Sequence, residues 1–363
     1  MTTKKIIVSV INDLSSDQRV NRVCTTLQNN GFDVLLIGRK FKNSKPIDNR
    51  SYKTKRYKLL FNKSFLFYLE INFRFFWILL FSKYDFLLSN DLDTLLCNSL
   101  AARIRRKRMY YDSHELFTEM PELQNQNFKK RIWAFIEKIS IRKSYASYTV
   151  CQPIADYYNK KYGINMQVIR NVPTKKELII PYNERKNVLI YQGALNLERG
   201  IEIMISAMQY LSDYQLIIAG KGDVENDLKK LCSELKLDDK IVFTGNIDIF
   251  TLHKYTQQAK IGFSLEQGKS MNYKFALPNK IFDYIQAETP IICADLPEMR
   301  KLVENFKIGE VFSEKDSKSL AELVKKIIAE NADYYSQNCN LAKEILNWEN
   351  EEKKLLTIYQ GGF

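Results

Sequence analysis

Residues 188–222 read VLIYQGALNLERGIEIMISAMQYLSDYQLIIAGKG. An apolar run ends at Gly193, and a polar loop leads to Arg199-Gly200. A helix-length stretch follows, and a second apolar run ends in Gly220-Lys221-Gly222. Short, wholly apolar strands joined by helical crossovers belong to a parallel sheet covered on both faces. Glycine lets backbone approach a ligand closely, and a helix opening beside a guanidinium is a sensible diphosphate site. The G-x-G turn by itself says little, because its third fingerprint glycine is missing. The first apolar run of the chain leads into VINDLSSDQR (10–19), not into a glycine-rich turn, which disfavours a nicotinamide or flavin enzyme.

The same alternation extends in both directions. Upstream, KIIVSVI (5–11) precedes a helix from about Asp17 to Asn30. FDVLLIG (32–38), YDFLLS (84–89), RMYYD (108–112) and SYTVC (147–151) follow, with helical stretches between them. VIRNVPTKKELIIP (168–181), with two prolines, reads as a linker. Beyond Gly222 come KIVFTG (240–245), KIGFSL (260–265), PIICAD (290–295), IGEVF (308–312) and a last helix, WENEEKKLLTIYQ (348–360). The expected architecture is α/β: two successive doubly wound domains, 1–170 and 171–345, with 346–363 packing back on the first. In such sheets ligands bind at the carboxyl ends of strands, and two facing sheets would make one cleft.

Length and composition agree. The 363 residues suit two or three domains, and 45 % hydrophobic with 27 % charged residues is an ordinary globular composition. Six scattered cysteines, no C-x-x-C pair and two histidines exclude a zinc ribbon and suit a reducing cytosol. The start, MTTKKIIVSV, has too short an apolar run for a signal peptide, so a cytoplasmic protein is expected. The net charge of +13 is unevenly divided. Residues 1–170 hold 30 Lys and Arg against 14 Asp and Glu, a net of +16; residues 171–363 hold 25 against 28, a net of −3. The first half therefore faces something anionic, such as a membrane surface or a phosphorylated substrate. Nucleic acid is not expected: the run from Arg103 to Arg108 lies at a helix end, where cations are favoured anyway, and no recognition motif accompanies it.

SFLFYLEINFRFFWILLF (64–81) is almost wholly apolar and would be about 27 Å long as a helix. Glu70 and Arg74 near its middle argue against a membrane span and can pair at i,i+4. Two readings stay open: a helix buried against the first sheet, or an interfacial helix with Lys53, Lys55, Arg56, Lys58 and Lys63 upstream.

A second constellation is ALPNKIFDYIQAETPIICADLPEM (276–299). Pro278 fits a helix start, with Lys280 in the first turn and Asp283 one turn on. A carboxylate there can accept hydrogen bonds from ribose hydroxyls while Lys280 faces phosphate. Asp91-Leu92-Asp93 spells D-x-D, but two acids after a strand also serve as helix caps, and no metal is expected.

Together these stretches resemble the retaining glycosyltransferases of family four, with the two-domain GT-B fold. The resemblance rests on Q-G-A-L-N-x-x-R-G (192–200), G-x-G (220–222), V-F-T-G (242–245), P-N-K-x-F-D-Y (278–284) with T-P-I-I (289–292), and the Trp348 helix. In the first half it includes Asp17-Gln18-Arg19-Val20, Asn90 to Thr94 and Asp112-Ser113-His114-Glu115. It implies that Arg199 grips a donor diphosphate, supported by Lys280, the amides around Asn279, and Gly193 and Gly222. Asp283 would contact the ribose, and His114 the transferred sugar at the cleft. The loop from Asn12 through Asp13 and Asp17 to Arg19, with Asp91, would border phosphates and acceptor.

The chain departs from the family at three places. Phe275 replaces the first Glu of the family's paired-Glu motif, with Glu266 or Gln267 able to supply that contact. Ala194 replaces the first Arg of the diphosphate clamp, and Asn12-Asp13 the glycine pair after the first strand.

The implied reaction moves a hexose-type sugar from a UDP- or GDP-linked donor to a glycan or lipid-linked glycan in surface polysaccharide synthesis. It would take place on the inner face of the plasma membrane. Arg199, Lys280 and a helix start would stabilise the leaving diphosphate, with no cofactor. A silent nucleotide-sugar-binding or scaffold subunit is the alternative, motivated by Phe275.

Overall fold

A computed structural model gives the structure of the chain and describes residues 3–361 apart from 16, 48, 121, 122, 124, 125, 269, 270, 276 and 315. It divides into two units. The first runs to Asn171 and regains the chain from Glu351; the second is Val172–Asn350.

The first unit is a seven-stranded sheet built from β1 (Lys4–Ser9), β2 (Phe32–Lys40), β3 (Lys53–Lys58), β4 (Phe86–Asn90), β5 (Arg108–Ser113), β6 (Ala146–Thr149) and β7 (Met166–Val168). Its order is β3-β2-β1-β4-β5-β6-β7, and every pairing is parallel. The second is a six-stranded parallel sheet of β8 (Val188–Gln192), β9 (Gln215–Ala219), β10 (Ile241–Gly245), β11 (Ile261–Ser264), β12 (Ile291–Ala294) and β13 (Gly309–Phe312), in the order β10-β9-β8-β11-β12-β13. Strand order reverses at β1/β4 in one sheet and at β8/β11 in the other. Loops at the carboxyl ends of those strands flank the crevices where such sheets bind ligands.

Both faces of each sheet are covered. In the second unit Leu189 and Tyr191 of β8 enter one apolar cluster, and Val188 and Ile190 enter the other. This burial on alternate sides is why β8 reads as a continuous apolar run. The strands that apolarity does not reveal are β3 and β7. KTKRYK of β3 lies at the sheet's edge with half its side chains in water, so its charges do not prevent pairing with β2. All six cysteines are free and buried.

Four helices of the first unit matter below. In α1 (Gln18–Asn29) the Asp17 side chain caps the N-terminus by accepting from Val20 N–H. α2 (Ser64–Phe81), α3 (Asp91–Arg105) and α4 (Asn127–Ile141) are successive crossovers, with α3 packed against both α2 and α4. Among the described residues α2 is the one helix long and apolar enough to cross a bilayer, by length and composition.

The buried reading of 64–81 holds for one side of the helix. Phe67, Ile71, Phe75 and Leu79 form a buried stripe, and the rest of α2 is partly or wholly in water. Glu70 and Arg74 do pair, at 2.7 Å, and Glu70 also accepts from the Leu60 and Phe61 amides. The closing helix, Trp348–Gln360, contributes Tyr359 to the first unit's core. Its ring stacks on Tyr110 at 4.2 Å, and its hydroxyl meets that of Tyr148.

Candidate functional site

Each unit brings some of the candidate residues together: Arg199, Lys280 and Glu266 in the second, Asp91, His114 and Arg19 in the first. In the second unit the loops after β8 and β9 are laced together: Gly193 N–H donates to Ala219 O, and Leu195 N–H donates to Lys221 O. Gly193 and Gly220 both have positive φ, and a Cβ on Gly220 would collide with the Gly193 carbonyl. A Cβ on Gly222 would likewise collide with Leu195 O, so its role in the structure is to hold this loop pair.

Against that loop lies the buried amine of Lys280, from the first turn of the helix Asn279–Gln286. It stands 4.0 Å from the Tyr191 ring centroid and 2.7 Å from Glu266 Oε1. The Ser264 hydroxyl donates to Glu266 Oε2 at 2.7 Å, and an Arg199 nitrogen lies 3.7 Å from Oε1. Arg199 also stands 5.3 Å from the Tyr273 ring, and its Nε is buried with no acceptor among the described residues. Burial works against the Glu266 charge, but Lys280 and Ser264 outweigh it and hold the carboxyl below its usual pKa. The Lys280 pKa is lowered by burial, with Glu266 opposing and Arg199 adding to the fall.

One carboxylate thus faces two cations at the β8/β11 switch point. The structure also separates Glu266 from Gln267. Glu266 is buried in the cluster, whereas Gln267 is exposed and its N–H donates to Glu198 O. Beside them a cavity of about 550 Å³ opens at the carboxyl ends of β11, β12 and β13, lined by Glu266, Gln267, Asp295, Leu296 and Phe312 among others.

Asp283 is not in this cluster. Its carboxylate accepts from Gln192 Nε2 at 3.0 Å and lies 3.6 Å from Lys176 Nζ. Asn279 is exposed at the helix start, and Phe275 is partly buried after a short helix, Met271–Lys274. The Ala194 carbonyl accepts from the Tyr191 hydroxyl at 2.9 Å.

In the first unit the second residue set meets at the β1/β4 switch point and the end of β5. His114 lies between two acids: Nδ1 is 3.1 Å from Asp91 Oδ2, and Nε2 is 3.4 Å from Asp112 Oδ2. Its own N–H donates to Asp91 Oδ1 at 2.8 Å. Burial disfavours the imidazolium, but Asp91 and Asp112 overcome it and raise the His114 pKa well above its ordinary value. Asp112 also receives a forked pair from buried Arg19, at 2.9 Å and 2.7 Å, while Arg19 reaches Ile169 O.

Asn12, Asp13 and Asp17 shape their own loop. Asn12 donates to Asp17 and accepts from Leu14 N–H, and Asp13 accepts from Ser15. Ser16 of this loop lies outside the described residues. Asp91 and Asp93 diverge: Asp93 is buried inward, and burial first, then Asp91, raises its pKa well above normal.

The residues that sequence reasoning left without a role are Asp112, which joins His114 to Arg19, and Tyr191, Gln192 and Lys176. Asp112 had a signal: it stands two residues before His114 at a strand's carboxyl end. Lys176 had none, because it lies in the segment read as a linker.

Comparison with known proteins decides the family. The family model "Glycosyltransferase Family 4" matches residues 17–174, and "Glycosyl transferases group 1" matches residues 174–344. The chain belongs to the group 1 glycosyltransferases. Among curated relatives of this glycosyltransferase chain, the O-antigen chain mannosyltransferase RfbU of Salmonella typhimurium is 25 % identical over 207 residues, which is 55 % of each chain. The matched stretch spans about half the length of the first curated relatives. Among solved structures, sucrose-phosphate synthase from Thermosynechococcus elongatus has a TM-score of 0.80 at 18 % identity, covering 99 % of this chain and 98 % of its own. Anabaena HepE in complex with UDP-glucose has a TM-score of 0.76 at 14 % identity, covering 99 % and 100 %. At these identities the likeness shows the fold, and that fold is GT-B.

Proposed function

We propose that this chain transfers a hexose-type sugar, with retention, from a UDP- or GDP-linked donor to a glycan or lipid-linked glycan in surface polysaccharide synthesis. The observation that carries this reading is the pair Arg199 and Lys280 sharing the single carboxylate of Glu266 at the β8/β11 switch point. Departure of the diphosphate develops negative charge, and two prepositioned cations in a part-buried site are suited to stabilise it. With retention the acceptor attacks from the leaving-group face, where a phosphate oxygen can take its proton, so no protein base is needed. The bound UDP-glucose of HepE and the mannosyltransferase relative support a nucleotide-sugar donor and a polysaccharide setting. The roles given to Asp283 (ribose), His114 (transferred sugar) and the loop 12–19 (acceptor side) belong to this proposal. So does a peripheral place on the inner face of the membrane.

Thermal-shift screening against UDP-, GDP- and other nucleotide-sugars tests it. A donor at a hundredfold excess over its Kd stabilises by about 2.7 kcal/mol, and failure of every nucleotide-sugar to raise the Tm overturns the reading. Donor binding without hydrolysis or transfer would instead favour a silent subunit, which the Phe275 substitution motivates.

A further inference from the structure

The first unit carries a second cavity, remote in sequence from the donor loops: an apolar groove of about 610 Å³ between α2 and α4. Phe65 and Leu69 of α2, Leu96 of α3, and Trp133 and Ile136 of α4 line it, with Phe117 from the loop that follows His114. Its volume is that of a small-molecule site rather than a packing defect. From the groove wall, where Phe65 and Leu69 stand, the apolar surface continues along α2. Phe65, Leu69, Phe73, Trp77 and Phe81 recur every four residues along α2 and are 43–75 % exposed. This row lies about 200° round the helix from the buried stripe, where a water-facing helix carries charge. On α4, Phe128, Phe135 and Ile139 are exposed too.

Charge names the occupant. Lys58, Lys63, Lys129, Arg131 and Lys138 are exposed beside these helices, and among the described residues no carboxylate pairs with them. An apolar aromatic surface edged by unpaired cations complements an anionic lipid, with hydrocarbon inside and phosphate at the rim. Direction adds a second argument. As crossovers between parallel strands, α2, α3 and α4 all start at the carboxyl edge of the sheet. Of the polar lining, Ser64, Gln126 and Lys129 lie in the first turns of α2 and α4 or just before them, hence at that edge; Asn72, farther along α2 with Tyr68, spends its amide on the Tyr68 and Asp93 carbonyls. Asp91 and His114 stand at the same edge.

We infer that the groove holds one hydrocarbon chain of a phosphate-bearing lipid acceptor, with the exposed rows of α2 and α4 seated in the bilayer surface. Lys129 meets the phosphate, and the head group projects toward Asp91 and His114. This rests on the transferase reading for the acceptor's identity, but not for the binding itself.

The test uses the full chain with Trp77→Phe, leaving Trp133 as the reporter in the groove and the buried Trp348 as a constant background. Vesicles of phosphatidylcholine and phosphatidylglycerol with brominated acyl chains should quench Trp133; unbrominated vesicles should not. Ile136→Glu, or Leu69→Glu on the facing wall if the first variant fails to fold, should abolish the quenching. Vesicle sedimentation should persist, because most of the outer row remains. Quenching that survives both variants, or sedimentation without quenching, overturns the groove assignment. Absence of sedimentation together with self-association in solution overturns it in favour of a second copy covering this face. A nucleotide-sugar thermal shift on the parent chain keeps the readings apart: its absence would count against the transferase reading and leave the groove result standing.

Discussion

The two clusters are electrostatic inverses. In the first unit a cation, His114, is held between Asp91 and Asp112, and Asp112 is further bound by buried Arg19. In the second a carboxylate, Glu266, is held between Lys280 and Arg199. The first set is closed in charge, two acids against two cations, although among the described residues the buried His114 Nε2, 3.4 Å from Asp112, makes no hydrogen bond. The second has one positive charge in excess and a buried Arg199 Nε with no acceptor among the described residues. A closed network positions side chains, whereas an open, cationic one waits for an anion.

The comparison breaks first, and by the largest amount, at Asp112→Asn. Arg19 is 2 % exposed, and losing its partner charge leaves a guanidinium buried with one backbone acceptor. Breaking such a pair costs about 3–5 kcal/mol, so the urea midpoint should fall steeply. A midpoint within experimental scatter of the parent would show that the first cluster is not the closed network described. In the second cluster Arg199→Ala should leave the urea midpoint near the parent's and instead lower turnover by about 10²–10³, the loss of roughly 2.7–4 kcal/mol of transition-state stabilisation. Glu266→Gln sharpens the contrast. Free nucleoside diphosphate should bind more tightly once Lys280 and Arg199 lose their competing carboxylate. If Glu266 contacts the sugar, the nucleotide-sugar should gain less than the bare diphosphate. Equal gains would assign Glu266 to charge balance alone.

How much of this was legible in the sequence depends on distance along the chain. Arg199, Gly193 and Gly220 lie in one loop pair after apolar strands, so pattern and chemistry pointed to them together. Lys280 came from a helix start marked by Pro278. That Glu266 accepts from Lys280, fourteen residues on, is a product of the β11–β12 crossover and has no local signature. The same holds for Asp112 and Arg19, joined only because the fold brings the carboxyl end of β5 within side-chain reach of the start of α1. β3 hid behind its lysines because edge strands need no apolar pattern. α2 hid its two-sidedness for the opposite reason: a helix apolar all round has no period to show which face is buried.

A smaller effect concerns pH. The folded His114 pKa is raised, so its ionisation stabilises the fold fully below the unfolded value of about 6.5. That contribution fades as pH climbs through the folded pKa, which lies well above 6.5. His114→Gln should therefore cost stability at pH 6 and progressively less toward alkaline pH, as read from urea midpoints at each pH. A difference that grows with pH would mean that the imidazole is neutral and that Asp91 and Asp112 do not hold a charge between them.

The smallest expected effect is none at all. If Arg199 and Lys280 neutralise the leaving diphosphate, a divalent ion has no remaining task there, and transfer should proceed unchanged in excess chelator. The acids of the D-x-D string support the same expectation from the other unit. Asp91 is committed to His114 through both oxygens, and Asp93 lies inward with its proton favoured, so the two do not present one pair of charged ligands. Loss of activity on chelation, restored by magnesium or manganese, would reverse the comparison. Asp91 would then have to release His114 to take the ion, and the first cluster, not the second, would be the open one.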